Sequence, residues 1–109
     1  MPSFVRSLSQ FLPHELRNLF KTAQTTLIEN GLTIKLAPKS KEFGRILIVT
    51  PRKSGNAVQR NRIRRRLKSI FYQEKLFERG SDCIVFVGAQ APLLAFDDLK
   101  NLLLKAFSV

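Results

Sequence analysis

Gly55-Asn56-Ala57-Val58-Gln59-Arg60-Asn61-Arg62-Ile63-Arg64-Arg65-Arg66-Leu67-Lys68 is the stretch on which the reading of this chain turns. It carries six of the 19 Lys and Arg residues, and no Asp or Glu lies between Phe43 and Gln73 to neutralise them. A helix is nevertheless written into it. Asn56 is a good N-cap, and Gln59 stands three positions on, where its amide can reach back as in a capping box. Ile63, Leu67, Ile70 and Phe71 follow at i, i+4, i+7 and i+8, the apolar stripe of one helix face. At roughly 100° per residue, Arg62, Arg65, Arg66 and Lys68 fall well away from that stripe and Arg64 borders it. Arg60 points along the stripe but precedes it by a turn, so it emerges at the edge of the core. The pattern predicts a helix docked by one side and basic on the other.

A solvated basic face would be an ordinary use of two or three such charges. Arg64, Arg65 and Arg66 repel one another, however, and no acid four residues away compensates. Self-repulsion of this kind costs stability until a polyanion relieves it. The whole chain has the same bias: net charge is +11 over 109 residues, with a pI near 10.7. That is the electrostatic footprint of nucleic-acid binding. The length suits one domain with a modest core. Cys83 is the single cysteine, which excludes an internal disulfide and leaves no thiol cluster for a metal. It sits beside the apolar run 84–87 and reads as a small buried hydrophobe. No apolar stretch is long enough to span a membrane. The first fourteen residues lack Asp and Glu and contain Arg6 and several serines, a weak resemblance to a transit peptide. A cytoplasmic location is the default expectation.

Working outward, residues 1–12 are expected to be extended or loosely attached. Pro13 suits the first position of a short helix continued by Leu16, Leu19, Phe20 and Ala23. Residues 25–29 form a β segment, and Asn30-Gly31 is a tight-hairpin signal. Leu32, Ile34 and Leu36 alternate with Thr33 and Lys35, a strand with one polar face. After a basic loop with Lys39 and Lys41, the run 46–49 reads as a buried central strand. Beyond the Arg-rich helix, residues 79–82 make a turn and Cys83–Val87 a further buried strand. Leu99, Leu102, Leu103, Ala106 and Phe107 mark a closing amphipathic helix. The order is α-β-β-β-α-β-α, an α+β sandwich with helices on a four-stranded sheet.

The run from Gly55 to Leu67, with its Gly-x-Ala-Val-x-Arg-Asn-Arg spacing, resembles the signature of the bacterial ribonuclease P protein component. The similarity covers about residues 13–107 and is strongest over 50–71. Membership implies one RNA-binding domain over 1–109. It also implies a left-handed strand–helix–strand crossover, an architecture grouped with the second domain of a small-subunit ribosomal protein. The function implied is that of a protein subunit in the ribonucleoprotein that removes the 5′ leader of precursor tRNA. The catalytic RNA subunit and precursor tRNA would be its partners, with no protein partner and no membrane required. Chemistry would belong to the RNA with bound magnesium, and the protein itself would hold no cofactor.

Residue by residue, the resemblance assigns Arg52, Lys53, Arg60, Asn61, Arg62 and Arg65 to RNA contact. Arg64, Arg66 and Lys68 extend the same basic surface. Arg grips phosphate in a bidentate fork, and an Asn amide can meet a base edge, ribose or backbone. A cleft between the first helix and the sheet would receive the leader, with Leu16 and Phe20 on its helical wall. Aromatic faces such as that of Phe20 can stack unpaired bases. Helical spacing alone allows Phe20 to be a core residue equally well. Leu16 replaces a Phe usual in the family, and Val49 and Pro51 replace serines common on its third strand. Pro51 also lacks an N–H, so that strand must end or lie on an edge there.

The remaining chemistry is sparse. A self-sufficient nuclease needs carboxylates or His to hold metal or move protons. His14 is the lone histidine, in the first turn of the first helix, and reads as a surface residue. Asp97 and Asp98 are the adjacent acids, at a helix start that favours them. No catalytic residue is assigned. The competing readings are a ribosomal or other structural RNA-binding protein, and a DNA-binding module with its Arg helix in a major groove.

Overall fold

Two residues with positive φ, Asn30 at 50° and Gly31 at 84°, close the first hairpin as a tight turn of right-twisting strands requires. A Cβ on Gly31 would come within 2.9 Å of the Ala91 backbone nitrogen, so this position excludes larger residues twice over. The computed structural model describes residues 6–108. The hairpin strands are β1 (Gln24–Glu29) and β2 (Leu32–Pro38). They follow helix α1 (Pro13–Thr22) and precede β3 (Ile46–Val49), helix α2 (Ala57–Gln73), β4 (Ser81–Val87) and helix α3 (Phe96–Phe107). Short 3₁₀ turns at Arg52–Ser54, Leu76–Glu78 and Ala91–Leu93 join them. The α-β-β-β-α-β-α order expected of the sequence is the order observed.

The sheet order is β1-β2-β4-β3. β1 and β4 each pair antiparallel with β2, while β3 and β4, joined through α2, are parallel neighbours. β4 is therefore interior and β3, whose apolar run had suggested a central strand, lies at the edge, its side chains covered by helices and not by a further strand; β4 also begins two residues earlier than the sequence implied. The Asp82 carboxylate, within that extension, accepts the Arg45 backbone N–H at 2.8 Å.

Strand alternation divides the sheet into two faces. Leu32, Ile34, Ile46, Cys83, Val85 and Val87 point into the main core. There they meet Ile63, Leu67, Ile70 and Phe71 of α2 and Leu99, Leu102, Leu103, Ala106 and Phe107 of α3. The Phe71 and Phe107 rings pack with centroids 6.1 Å apart. Burial pushes the Cys83 thiol well above the usual range, in keeping with its reading as a small hydrophobe. The other face carries Ala37, Ile84, Leu47, Val49 and Phe86 beneath α1, of which only Ala37 and Ile84, with Leu19 from α1, are buried.

The N-terminal segment departs from the loose attachment expected of it. Leu8 is 3% exposed and belongs to the main core. Its carbonyl accepts the N–H of Ile46 at 2.7 Å, and that of Gln10 accepts Arg45 Nη1 at 2.8 Å. β3 is an edge strand, so its backbone donors are open to pairing, and a segment carrying one apolar side chain fills that place. Residues 1–5 of the same expectation lie outside the described residues.

Candidate nucleic-acid interface

The basic helix is launched by a rigid turn. Pro51 ends β3's path, the 3₁₀ turn follows, and Gly55 leaves it at φ 127°. A Cβ at Gly55 would collide with Gln59 Oε1, the oxygen that accepts the Asn56 N–H at 3.0 Å. Gln59 N–H in turn donates to Asn56 Oδ1 at 2.9 Å. The capping box read from the sequence is thus present and reciprocal. It holds Arg52 and Lys53, both exposed, beside the first turn of α2.

Along α2, Arg62, Arg65 and Lys68 are exposed, together with Asn61. Arg66 is half-buried, although its helical angle puts it away from the apolar stripe. Arg60 is half-buried with its Nε in the interior, and that nitrogen has no partner among the described residues. It lies at the rim of the core, as the spacing implied. Arg64 is engaged within the fold: Nη1 donates to Thr50 Oγ1 at 2.7 Å and Nη2 to Asn61 Oδ1. Arg64 therefore fastens α2 to the end of β3 and orients the Asn61 amide. The ion pairs found among the described residues use Lys41, Arg45, Lys100 and Lys105. None of them neutralises a cation of α2 or of the 52–53 turn.

The second part of the site lies under α1. Leu19, 3% exposed, anchors that helix on Ala37 and Ile84. Leu16 is half-buried, and Phe20, one residue past the anchor, is 51% exposed. The two readings that spacing left open for Phe20 are thereby separated: it is not a core residue. Its ring faces Phe86 of β4, with centroids 6.3 Å apart and planes tilted by 52°. Lys35 Nζ stands 5.6 Å from the Phe86 centroid. The aromatic that α1 lacks at Leu16 has a counterpart in Phe86, across the groove on the sheet. The sequence analysis missed it because an all-apolar strand conceals which face each residue takes. Alternation counted from Cys83, a small hydrophobe placed inward, would have put Phe86 on the α1 face. Val49, Pro51, Lys53, Thr33 and Phe86 line a depression of about 550 Å³ that leads from this groove toward the start of α2.

A polar latch seats α1. The buried Arg45 guanidinium donates to Glu15 Oε1 at 3.2 Å and to Ser40 Oγ at 3.0 Å, and pairs with Glu15 Oε2 at 3.1 Å. The Phe11 ring covers it, 4.2 Å from centroid to Cζ. Glu15 also accepts the Leu12 N–H at 2.8 Å, capping α1 from within. The Arg45 bond foremost, then that of Leu12, holds the Glu15 carboxyl down to about 2. His14, in the same turn, is exposed.

No described helix is long and apolar enough to cross a membrane. Among the described residues no three His, Cys, Asp or Glu side chains gather where a metal could sit.

The family model described as Ribonuclease P matches residues 12–109. A ribonuclease P protein component of Borrelia duttonii is 36% identical over 91 residues, which cover 82% of this chain and 79% of that one. The component of Petrotoga mobilis is 35% identical over 66 residues, 61% of this chain and 55% of its own length. In fold, the RNase P protein from Thermotoga maritima superposes with a TM-score of 0.74 at 22% identity, covering 91% of this chain and 94% of that one. A basic, capped helix on this sheet and a profile match spanning nearly its whole length lead to one conclusion: the chain belongs to the ribonuclease P protein components, the protein partners of the RNA in the ribonucleoprotein that matures tRNA 5′ ends.

Proposed function

We propose that the exposed face of α2, with Arg52 and Lys53, grips the catalytic RNA, while the groove between α1 and the sheet takes the single-stranded 5′ leader of precursor tRNA. The observation that carries this reading is the set of cations on a fixed, capped helix with no internal acid to pair with. Arg62, Arg65 and Lys68 are free to meet phosphates, and each phosphate they neutralise releases condensed counterions. Asn61, its carbonyl held by Arg64, keeps its amide donors for a ribose or base edge. In the groove, Phe20 and Phe86 offer two tilted rings to unpaired bases, with Lys35 beside them for a phosphate. The depression past Val49 and Pro51 leads such a strand to Lys53 and so to the RNA-bound helix.

The protein contributes position and charge. Cleavage is left to the RNA, whose phosphates would hold the magnesium that supplies the metal-ion chemistry. The setting is the cytoplasm, where precursor tRNA is found. The test is a salt titration of binding to the ribonuclease P RNA. Replacing Arg62 and Arg65 by Ala should flatten the slope of log K against log salt by about one to two, with circular dichroism unchanged. An unchanged slope removes this face from the interface. A preference for ribosomal RNA over the ribonuclease P RNA would favour the structural RNA-binding alternative.

A further inference from the structure

The clamped N-terminal segment creates a groove that the basic face alone would not have. One wall is the segment around Arg6, Ser9 and Gln10; the other is the flank of α2 bearing Arg65, Lys68 and Tyr72. Leu8, Ile46 and Phe71 close it from beneath, none more than 3% exposed, so the apolar surface it offers is the ring of Tyr72. The cavity measures about 570 Å³, inside the roughly 300–1,000 Å³ of sites that enclose small molecules. Its lining contains three cations and no carboxylate. Ser69 and Gln73, facing Ser9 and Gln10, supply hydroxyls and amides that both donate and accept. Tyr72 is 38% exposed and already stacked on Phe77, with ring planes 17° apart, so its ring is fixed in place.

We propose that this groove receives one unpaired nucleotide of the partner RNA, its base against the Tyr72 ring and its phosphate between Arg6 and Arg65. Charge selects the occupant. An apolar peptide would gain nothing from Arg6, Arg65 and Lys68, whereas a nucleotide uses the Tyr72 ring and the cations together. The groove is continuous with the α2 face through Arg65 and Lys68, so a strand bound there reaches it without leaving the protein. A base driven into a pocket adds an anchor beyond phosphate contacts, which position RNA but do not distinguish its bases. The inference rests on the reading of α2 as the RNA-binding face.

The experiment fills the groove without touching a charge. Ser69→Phe should weaken binding of the ribonuclease P RNA by about tenfold, the loss of one stacked base, and flatten the salt slope by no more than about one, the single phosphate held by Arg6 and Arg65. In the wild-type complex, one unpaired base of the RNA should be shielded from base-modifying reagents. Ser69→Phe should expose that base again. Should Ser69→Phe fail to fold, Ser9→Phe fills the groove from the opposite wall. Wild-type affinity and an unchanged pattern of base protection in the folded variant would overturn the proposal. So would a concentration-dependent dimer of the free protein abolished by Ser69→Phe, which would give the groove to a second copy. Neither result touches the salt-slope test of α2, so failure of the pocket and failure of the interface are distinguishable.

Discussion

The two faces of the sheet are built on opposite principles. Against one, α2 and α3 lay Leu67, Phe71, Leu99 and Leu103 on Ile34, Val85 and Ile46, and none of these side chains is more than 2% exposed. Against the other, α1 buries a single side chain, Leu19, and depends on the polar latch of Arg45 and Glu15 for its orientation. The tightly packed face carries the repulsive charge of α2, because only a large apolar payload offsets what Arg64, Arg65 and Arg66 cost one another. The lightly packed face leaves a groove with two aromatic rings in it, because a helix held at one point cannot seal a sheet. Firm packing thus accompanies the basic surface, and sparse packing the groove proposed for a leader strand.

The sharpest way to break this contrast is to cut into both faces. Phe71→Ala should cost about 3–5 kcal/mol and lower the melting temperature of the entire protein. Leu19→Ala should fall at the low end of the roughly 2–5 kcal/mol for such truncations, since α1 can settle into the gap. Equal losses in thermal denaturation would mean that the two faces are packed alike, and the contrast would fail.

Next in size is the latch. Arg45→Met keeps an unbranched chain against Phe11 but removes every donor. Glu15 retains the Leu12 N–H and Lys41, 3.5 Å away, so the cost should stay below the roughly 3–5 kcal/mol of breaking a fully buried pair. Amides of residues 8–23 should exchange faster while those of α2 keep their protection. Uniform loss of protection would show that the latch supports the whole fold and not α1 alone.

These features differ in how plainly the sequence carries them. The α2 helix, its cap and its stripe were legible because cap chemistry and helical periodicity are local; the same holds for the Asn30-Gly31 hairpin and for the extent of β3, but not for its place at the sheet edge, which pairing with β4 decides. The basic surface was legible as composition, but Arg64's inward engagement was not. That depends on Thr50, brought beside α2 only by the parallel return of the chain. The latch was illegible for the same reason: Arg45, Glu15 and Ser40 lie in three separate segments, and nothing in their spacing joins them. Leu8 fell in a segment expected to be extended or loosely attached, and only the edge position of β3, with a backbone donor to fill, explains its burial. Phe86 was hidden by its own strand, apolar on both faces. Pairwise tertiary contacts, in short, are what local patterns omit, and the polar ones leave no periodic trace at all.

A smaller expected effect concerns the groove itself. With Phe20 half in solvent, Phe20→Ala should cost only about 1 kcal/mol of stability, the worth of its tilted contact with Phe86. Its effect on the holoenzyme should be selective: precursor tRNA should bind more weakly by about 1–3 kcal/mol, the value of one stacked base. Mature tRNA, which has no leader, should bind as before. Phe86→Leu should reproduce the selectivity from the sheet side. A variant that loses both tRNA affinities equally would show that the groove supports the fold or the RNA contact, not the leader.

The smallest effect is the acid response of the α1 side, where two carboxylates pull in opposite directions. Arg45 above all, with the Leu12 N–H, holds Glu15 at about 2 against an ordinary 4.5. A depressed carboxyl contributes stability that is fully present above 4.5 and is lost as pH falls through about 2. Asp82 is shifted the other way. Burial raises its carboxyl above the ordinary 3.8, although the Arg45 N–H works against that shift. Its charged form is a cost at neutral pH, relieved as pH falls through the raised value. Acidification should therefore relieve Asp82 as pH falls through its raised value toward 3.8, and withdraw the contribution of Glu15 from 4.5 down through about 2. Glu15→Gln should flatten the decline, and Asp82→Asn the gain, in melting temperature plotted against pH. Amides of α1 should lose protection over the Glu15 step while those of α2 hold. Simultaneous loss in both helices would mean that they open as one unit, with no weaker face for acid to find.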